Sequence, residues 1–155
     1  MNDTLRVIDI VEGTSVDGPG LRTSVYLAGC RHACPGCHNP QTWPMDAGRD
    51  MSVDEILEII DRADFNVTLT GGDPIYQAPR LLPLVQALHR AGRTVWLYTG
   101  FTFEQLQQMP HAAALLPYLE AVVDGPFVAE LRDTSLQFRG SSNQRIIKLK
   151  DWPGC

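Results

Sequence analysis

The chain has 155 residues, 44% of them hydrophobic and 20% charged, enough for one globular domain whose core needs no disulfide staples. Net charge is -5 and the 13 Lys and Arg are scattered, which excludes the basic face that nucleic acid or an anionic membrane would require. The opening MNDTLRVIDIVEG has neither a basic start nor a long apolar run, so a cytoplasmic chain with reduced thiols is expected.

The first β-rich run, Arg6 to Val11, is weak. In Asp17-Gly-Pro-Gly20, Pro19 sets φ and the glycines tolerate positive φ, so a turn is expected, with Arg22 as a charge on a strand surface. Leu21 to Leu27 reads as a strand, and Gly29-Cys-Arg-His-Ala-Cys-Pro-Gly-Cys-His-Asn-Pro40 follows it directly. Three of the four cysteines stand in that stretch, spaced C-x3-C-x2-C. A disulfide framework wants an even count and a structural zinc site wants four ligands. Thiolates at this spacing suit zinc completed by His32 or His38, or an iron–sulfur cluster with one iron left open. On the residues alone both stand.

Ser52-Val-Asp-Glu55 is a capping box and predicts a helix with Val53, Ile56, Leu57 and Ile60 on one apolar face. Val67 to Thr70 predicts a strand that ends in Gly71-Gly72-Asp73-Pro74. Pro79 opens a second helix, with Leu81, Leu84, Val85 and Leu88 toward the core and Gly92 as a left-handed stop. Thr94 to Thr99 is the next strand, and Thr102-Phe-Glu-Gln105 caps a shorter helix toward Pro110. Ala121 to Asp124 is a strand closed by Gly125-Pro126, and Arg145 to Leu149 is the last. Before it, Arg139-Gly-Ser-Ser-Asn-Gln144 lacks apolar periodicity and reads as a solvated loop, a cover over the site or a partner contact. Cys155 lies outside the spacing pattern.

Strands alternating with helices predict βα units around a parallel sheet in a single domain spanning residues 1–155. Ligands of such sheets sit at the C-terminal edge of the strands, where glycine lets backbone approach closely. The cysteine loop, Gly71 to Asp73, Thr99 and Asp124 should therefore share one mouth.

The C-x3-C-x2-C element after a first strand resembles the signature of radical S-adenosylmethionine enzymes. Together with Asp17 to Arg22, Cys37-His-Asn-Pro40, Trp43, Gly71 to Pro74, Asp124 to Phe127 and Arg139 to Gln144, it is similar to the activases of glycyl-radical enzymes. Within these, the branch acting on anaerobic ribonucleoside-triphosphate reductase is the nearest resemblance; Asp73 stands where the general pattern is Gly-Gly-Glu.

The resemblance implies an α/β fold, an incomplete TIM-like barrel of five or six parallel strands with flanking helices. It implies one 4Fe-4S cluster held by Cys30, Cys34 and Cys37, and bound S-adenosylmethionine. Gly36, Cys37 and His38 would line the adenine side, Gly71, Gly72 and Asp73 the methionine ammonium, and Thr99 and Asp124 the remaining surroundings. An external reductant of flavodoxin type or another kind would supply the electron, and the partner would be the large reductase, on which a glycyl radical forms. No side chain acts as catalyst in that scheme. The alternatives are a radical enzyme acting on a small molecule, of the deazaguanine-precursor synthase type, and a zinc-stabilised binding module without catalysis.

Overall fold

The computed structural model describes residues 4–15, 18–29, 48–133, 135–139 and 141–149. Within them seven strands form one sheet: β1 (Thr4–Thr14), β2 (Arg22–Leu27), β3 (Arg49–Ser52), β4 (Asn66–Gly71), β5 (Val95–Tyr98), β6 (Ala121–Asp124) and β7 (Arg145–Lys148). Their order is β3-β1-β2-β4-β5-β6-β7.

The centre, β2-β4-β5-β6, is parallel, as the βα alternation predicts. The flanks are not. β1 pairs antiparallel with β2 and β3, and β7 pairs antiparallel with β6, so the sheet is mixed rather than uniformly parallel. The cause lies in the connections: β1 and β2, like β6 and β7, are joined without a helical crossover, and a parallel pair needs one. β1 is also longer than its sequence pattern suggests, and β3, RDMS, was not expected because four largely polar residues carry no strand signal.

Four helices connect the central strands: α1 (Val53–Ala63), α2 (Ala78–Arg90), α3 (Phe103–Gln108) and α4 (Pro110–Ala113). The caps of α1 and α3 form as their sequences dictate. Glu55 N–H donates to Ser52 Oγ at 3.0 Å while Ser52 N–H donates to Glu55 Oε1 at 3.1 Å. Thr102 and Gln105 repeat the exchange at 3.2 and 2.8 Å. α2 stops at Gly92, whose φ of 79° lets its N–H reach the His89 carbonyl while Arg93 N–H reaches Leu88. α2 runs through Pro83 and loses one rung of its ladder there, but Leu81, Leu84, Val85 and Leu88 are fully buried. At about 1.5–3 kcal/mol per buried side chain, that packing outweighs the ~3 kcal/mol cost of an interior proline.

The helices bury their apolar stripes against one face of the sheet, where they meet Val25, Leu27, Val67, Leu69, Val95, Leu97 and Val122. Strand alternation turns the intervening residues to the opposite, inner face. Register sets Ser24 beside Thr68, Thr68 beside Trp96 and Trp96 beside Ala121 in one row, with Tyr26 beside Thr70 and Tyr98 beside Val123 in the next.

Candidate functional site

Because β2, β4, β5 and β6 are parallel neighbours, their C-terminal ends lie along one edge. The loops there are stitched by short backbone bonds. Gly72 N–H donates to the Leu27 carbonyl at 2.8 Å, Asp73 N–H to Gly29 at 2.7 Å, Thr99 N–H to Val123 at 3.0 Å and Gly125 N–H to Phe101 at 2.9 Å. Gly29 is the residue before Cys30, so the cysteine segment starts beside Asp73. Cys30, Cys34 and Cys37, with Gly36 and His38, lie outside the described residues, as does Asp17. Among the described residues no group of three or more His, Cys, Asp or Glu is placed to hold a metal ion. Gly71, Gly72, Asp73, Thr99 and Asp124, the other five candidates, do come together at this edge.

Their local roles are more specific than the sequence indicated. Gly71 has φ of 104°, and a Cβ there would stand 2.4 Å from the Leu27 amide nitrogen; β2 itself demands glycine. Asp73 is 1% exposed. Its Oδ1 accepts from Ile75 N–H at 3.0 Å, and its Oδ2 accepts from Thr99 Oγ1 and from Gly100 N–H, both at 2.9 Å. Thr99 Oγ1 in turn accepts from Phe101 N–H at 3.1 Å. Asp124, also 1% exposed, accepts from Phe103 N–H at 2.7 Å and from the Arg145 guanidinium through both oxygens. Arg145 also meets Glu104 at 2.7 Å. Hydrogen bonding to Asp124, then to Glu104, raises the Arg145 pKa above its ordinary value.

Among the described residues from Arg139 to Gln144, Ser142 and Asn143 are exposed, yet side chains of the segment tie it to the loop after β6. Asn143 Nδ2 donates to the Pro126 carbonyl at 2.8 Å and Gln144 Nε2 to Gly125 at 3.0 Å. Val128 N–H donates to Ser141 Oγ at 3.2 Å. The segment fastens the loop that leaves β6, and Phe138 then packs edge-on against Trp96 on the inner face at 5.6 Å.

Arg22 is the largest departure from expectation. It is 2% exposed, not a surface charge, and sits at the N-terminal edge of the parallel strands. Its guanidinium donates to Thr68 Oγ1 at 3.0 Å and to the carbonyls of Val67 at 2.8 Å and Thr94 at 3.0 Å, and it stacks over Trp96 at 5.8 Å. Burial pushes its pKa down, partly offset by Glu120 and Tyr98. Gly18 is needed beside it, since a Cβ there would stand 2.8 Å from Arg22 Cδ.

The inner face between these two ends carries Ser24, Thr68, Thr70, Tyr26 and Tyr98, the first three buried and the tyrosines half-buried. Sequence reasoning missed these five. Central strands of a parallel sheet ordinarily read as continuous apolar runs, so RTSVYL, NVTLTG and VWLY, with a polar or aromatic residue at every second position, signal a polar inner face. The half-buried tyrosines and the glycine backbone at this edge suit a zwitterionic ligand bearing a ribose, which makes the site compatible with S-adenosylmethionine.

A family model described as a 4Fe-4S single cluster domain matches residues 16–147, so the chain belongs to that class of domain. The anaerobic ribonucleoside-triphosphate reductase-activating protein of Haemophilus influenzae is 36% identical over 147 residues, covering 87% of this chain and 92% of that one. The protein of the same name from Vibrio cholerae is 38% identical over 144 residues, covering 86% and 92%. The crystal structure of QueE from Escherichia coli superposes with a TM-score of 0.56 at 22% identity, over 64% of this chain and 53% of that chain, a likeness of fold. The chain belongs to the family of anaerobic ribonucleoside-triphosphate reductase-activating proteins.

Proposed function

We propose that this protein is a radical S-adenosylmethionine activase that generates the glycyl radical of anaerobic ribonucleoside-triphosphate reductase. The observation that carries the reading is membership of the activating-protein family over most of the chain and most of each relative. The 4Fe-4S domain match supports the cluster. When bound, the cluster and S-adenosylmethionine together supply one-electron reductive cleavage of the sulfonium and removal of a hydrogen from the partner's glycine.

Cys30, Cys34 and Cys37 would hold the cluster as thiolates. Gly36, Cys37 and His38 line the adenine side. Gly71, Gly72 and Asp73 form the border nearest the methionine ammonium, with Thr99 and Asp124 beyond them. The half-buried Tyr26 and Tyr98 of the inner face offer partners to the ribose, and Arg22 with Trp96 closes the far end against water. In this reading the four parallel strands are the wall of an incomplete TIM-like barrel, open at the side, a reading supported by the parallel pairing of β2, β4, β5 and β6. An open wall admits a loop of another folded protein, which is where the substrate glycine resides. The electron comes from a flavodoxin-like or similar donor, and the reaction belongs to the cytoplasm. No helix among the described residues is long and apolar enough to cross a membrane.

The test is anaerobic reconstitution with iron and sulfide, followed by absorption and spin-resonance spectra with and without S-adenosylmethionine. Ala at Cys30, Cys34 or Cys37 should abolish the intact cluster, and Cys155→Ala should not. Adding the cognate reductase should raise a glycine-centred radical signal that this chain alone does not produce. Colourless protein with stoichiometric zinc would overturn the reading, and so would partner-independent turnover of a small molecule with no radical on the reductase.

A further inference from the structure

We propose that Asp73 is a positioning residue, which locks the loop after β5 to the root of the cysteine segment and does not itself hold the cofactor's ammonium group. The inference deepens the activase reading and rests on it. Three donors already engage the carboxylate: Ile75 N–H, the Thr99 hydroxyl and Gly100 N–H. An acceptor that meets a ligand must present surface to it, and Asp73 presents 1%. The backbone of the same residue reaches the other way, its N–H donating to Gly29 at 2.7 Å, immediately before Cys30. One residue thus spans three loops: the one that carries the first cysteine, its own, and that of Thr99 and Gly100.

Asp124 completes the arrangement from the opposite side. Its carboxylate accepts from Phe103 N–H, and the neighbouring Gly125 N–H donates to Phe101. The segment from Thr99 to Phe103 is therefore clamped between two buried carboxylates 51 positions apart in sequence, one on each side. A carboxylate is suited to this task because it accepts from several N–H and O–H donors at once, and hydrogen bonds to a charged acceptor are about twice as strong as neutral ones. Asn at position 73 would face Gly100 N–H or Ile75 N–H with an amide donor.

The experiment compares two ligands on the reconstituted protein, S-adenosylmethionine and its analogue lacking the α-amino group, by calorimetry. Asp73→Asn and Thr99→Val remove the charge and the hydroxyl of the same contact. Each should weaken both ligands by about tenfold, the size of one lost hydrogen bond to a charged acceptor. The wild-type preference for the amino-bearing ligand should persist in both variants. If Asp73→Asn binds the two ligands equally while the wild type discriminates, the carboxylate grips the ammonium directly and the proposal falls. Hydrogen exchange read by mass spectrometry over residues 98–103, on the protein without S-adenosylmethionine, gives an independent readout. Exchange there should rise roughly tenfold in both variants as the clamp loosens. Unchanged exchange in both would also overturn the proposal. A wild type that binds neither ligand would count against the activase reading, and the exchange result would still decide the role of Asp73.

Discussion

At the N-terminal end of the parallel strands one cation meets carbonyl oxygens; at the C-terminal end two carboxylates meet amide hydrogens. Arg22 donates to Val67, Thr94 and Thr68 and lies against Trp96, while Asp73 and Asp124 accept from Ile75, Gly100 and Phe103. Both ends bury charge and satisfy it with hydrogen bonds, as burial requires. The difference is in what is tied. Arg22 draws strand ends and a hydroxyl onto one point and seals that end. The two aspartates draw loops into fixed positions along an edge, where loops carry function. A seal is a matter of stability, whereas a mouth is a matter of geometry, and substitutions at the two ends should separate those quantities.

The largest effect is expected at the seal. Arg22→Met withdraws the guanidinium from Thr68 Oγ1 and from the carbonyls of Val67 and Thr94, the last of which keeps the Val67 N–H, and should cost about 3 kcal/mol at roughly 1–3 kcal/mol per buried group that loses a donor. Urea denaturation followed by circular dichroism reads it; a loss under about 1 kcal/mol would mean that the guanidinium's burial cost nearly cancels its bonds. Next comes the fastening of the β6 loop. Replacing Asn143 and Gln144 together by Ala removes two bonds to the Gly125 and Pro126 carbonyls, and a destabilisation of about 2 kcal/mol is expected in the same assay. Iron and sulfide content should stay at wild-type values, since neither side chain meets the cysteine root. Smaller still, Thr102→Ala removes the N-cap of α3 and should cost about 1 kcal/mol.

The smallest effect depends on pH. Glu104 is exposed, and hydrogen bonding to Arg145 holds its carboxyl below the ordinary value. A depressed folded-state pKa contributes stability above the unfolded value and loses it as pH falls through the folded one. Glu104→Gln should therefore lie below the wild type at neutral pH and coincide with it in acid, near pH 3 or under. Melting temperatures across that range check the convergence, and a gap that widens in acid would reverse the assignment.

How much of this was legible in the chain follows from the sequence distance of each interaction. The caps at Ser52 and Thr102 and the Gly92 stop close within a few residues, so their signals are complete in a short window. The central strands were legible because β-rich runs alternate with helical stripes. That Gly71 to Asp73, Thr99 and Asp124 share one edge was legible from the strand ends, because parallel neighbours must end on one edge. The inner-face residues carried a signal too, the polar alternation in RTSVYL and NVTLTG, but it gains meaning only once both faces of the sheet are known.

By itself the sequence determined the alternation of the central strands with helices, the caps of α1 and α3, and the cysteine spacing with its implied chemistry. Tertiary structure alone decided that β1 and β7 run antiparallel to the central strands, that β3 pairs with β1, that Arg22 is buried, that Ser141, Asn143 and Gln144 fasten the β6 loop, and that Asp73 clamps Thr99 and Gly100. The reason is that a hydrogen-bonding side chain declares only its capacity to donate or accept. Arg22 reaches Thr94 across 72 positions and Gln144 reaches Gly125 across 19, and which partner each finds is set by the stacking of strands that no local pattern encodes.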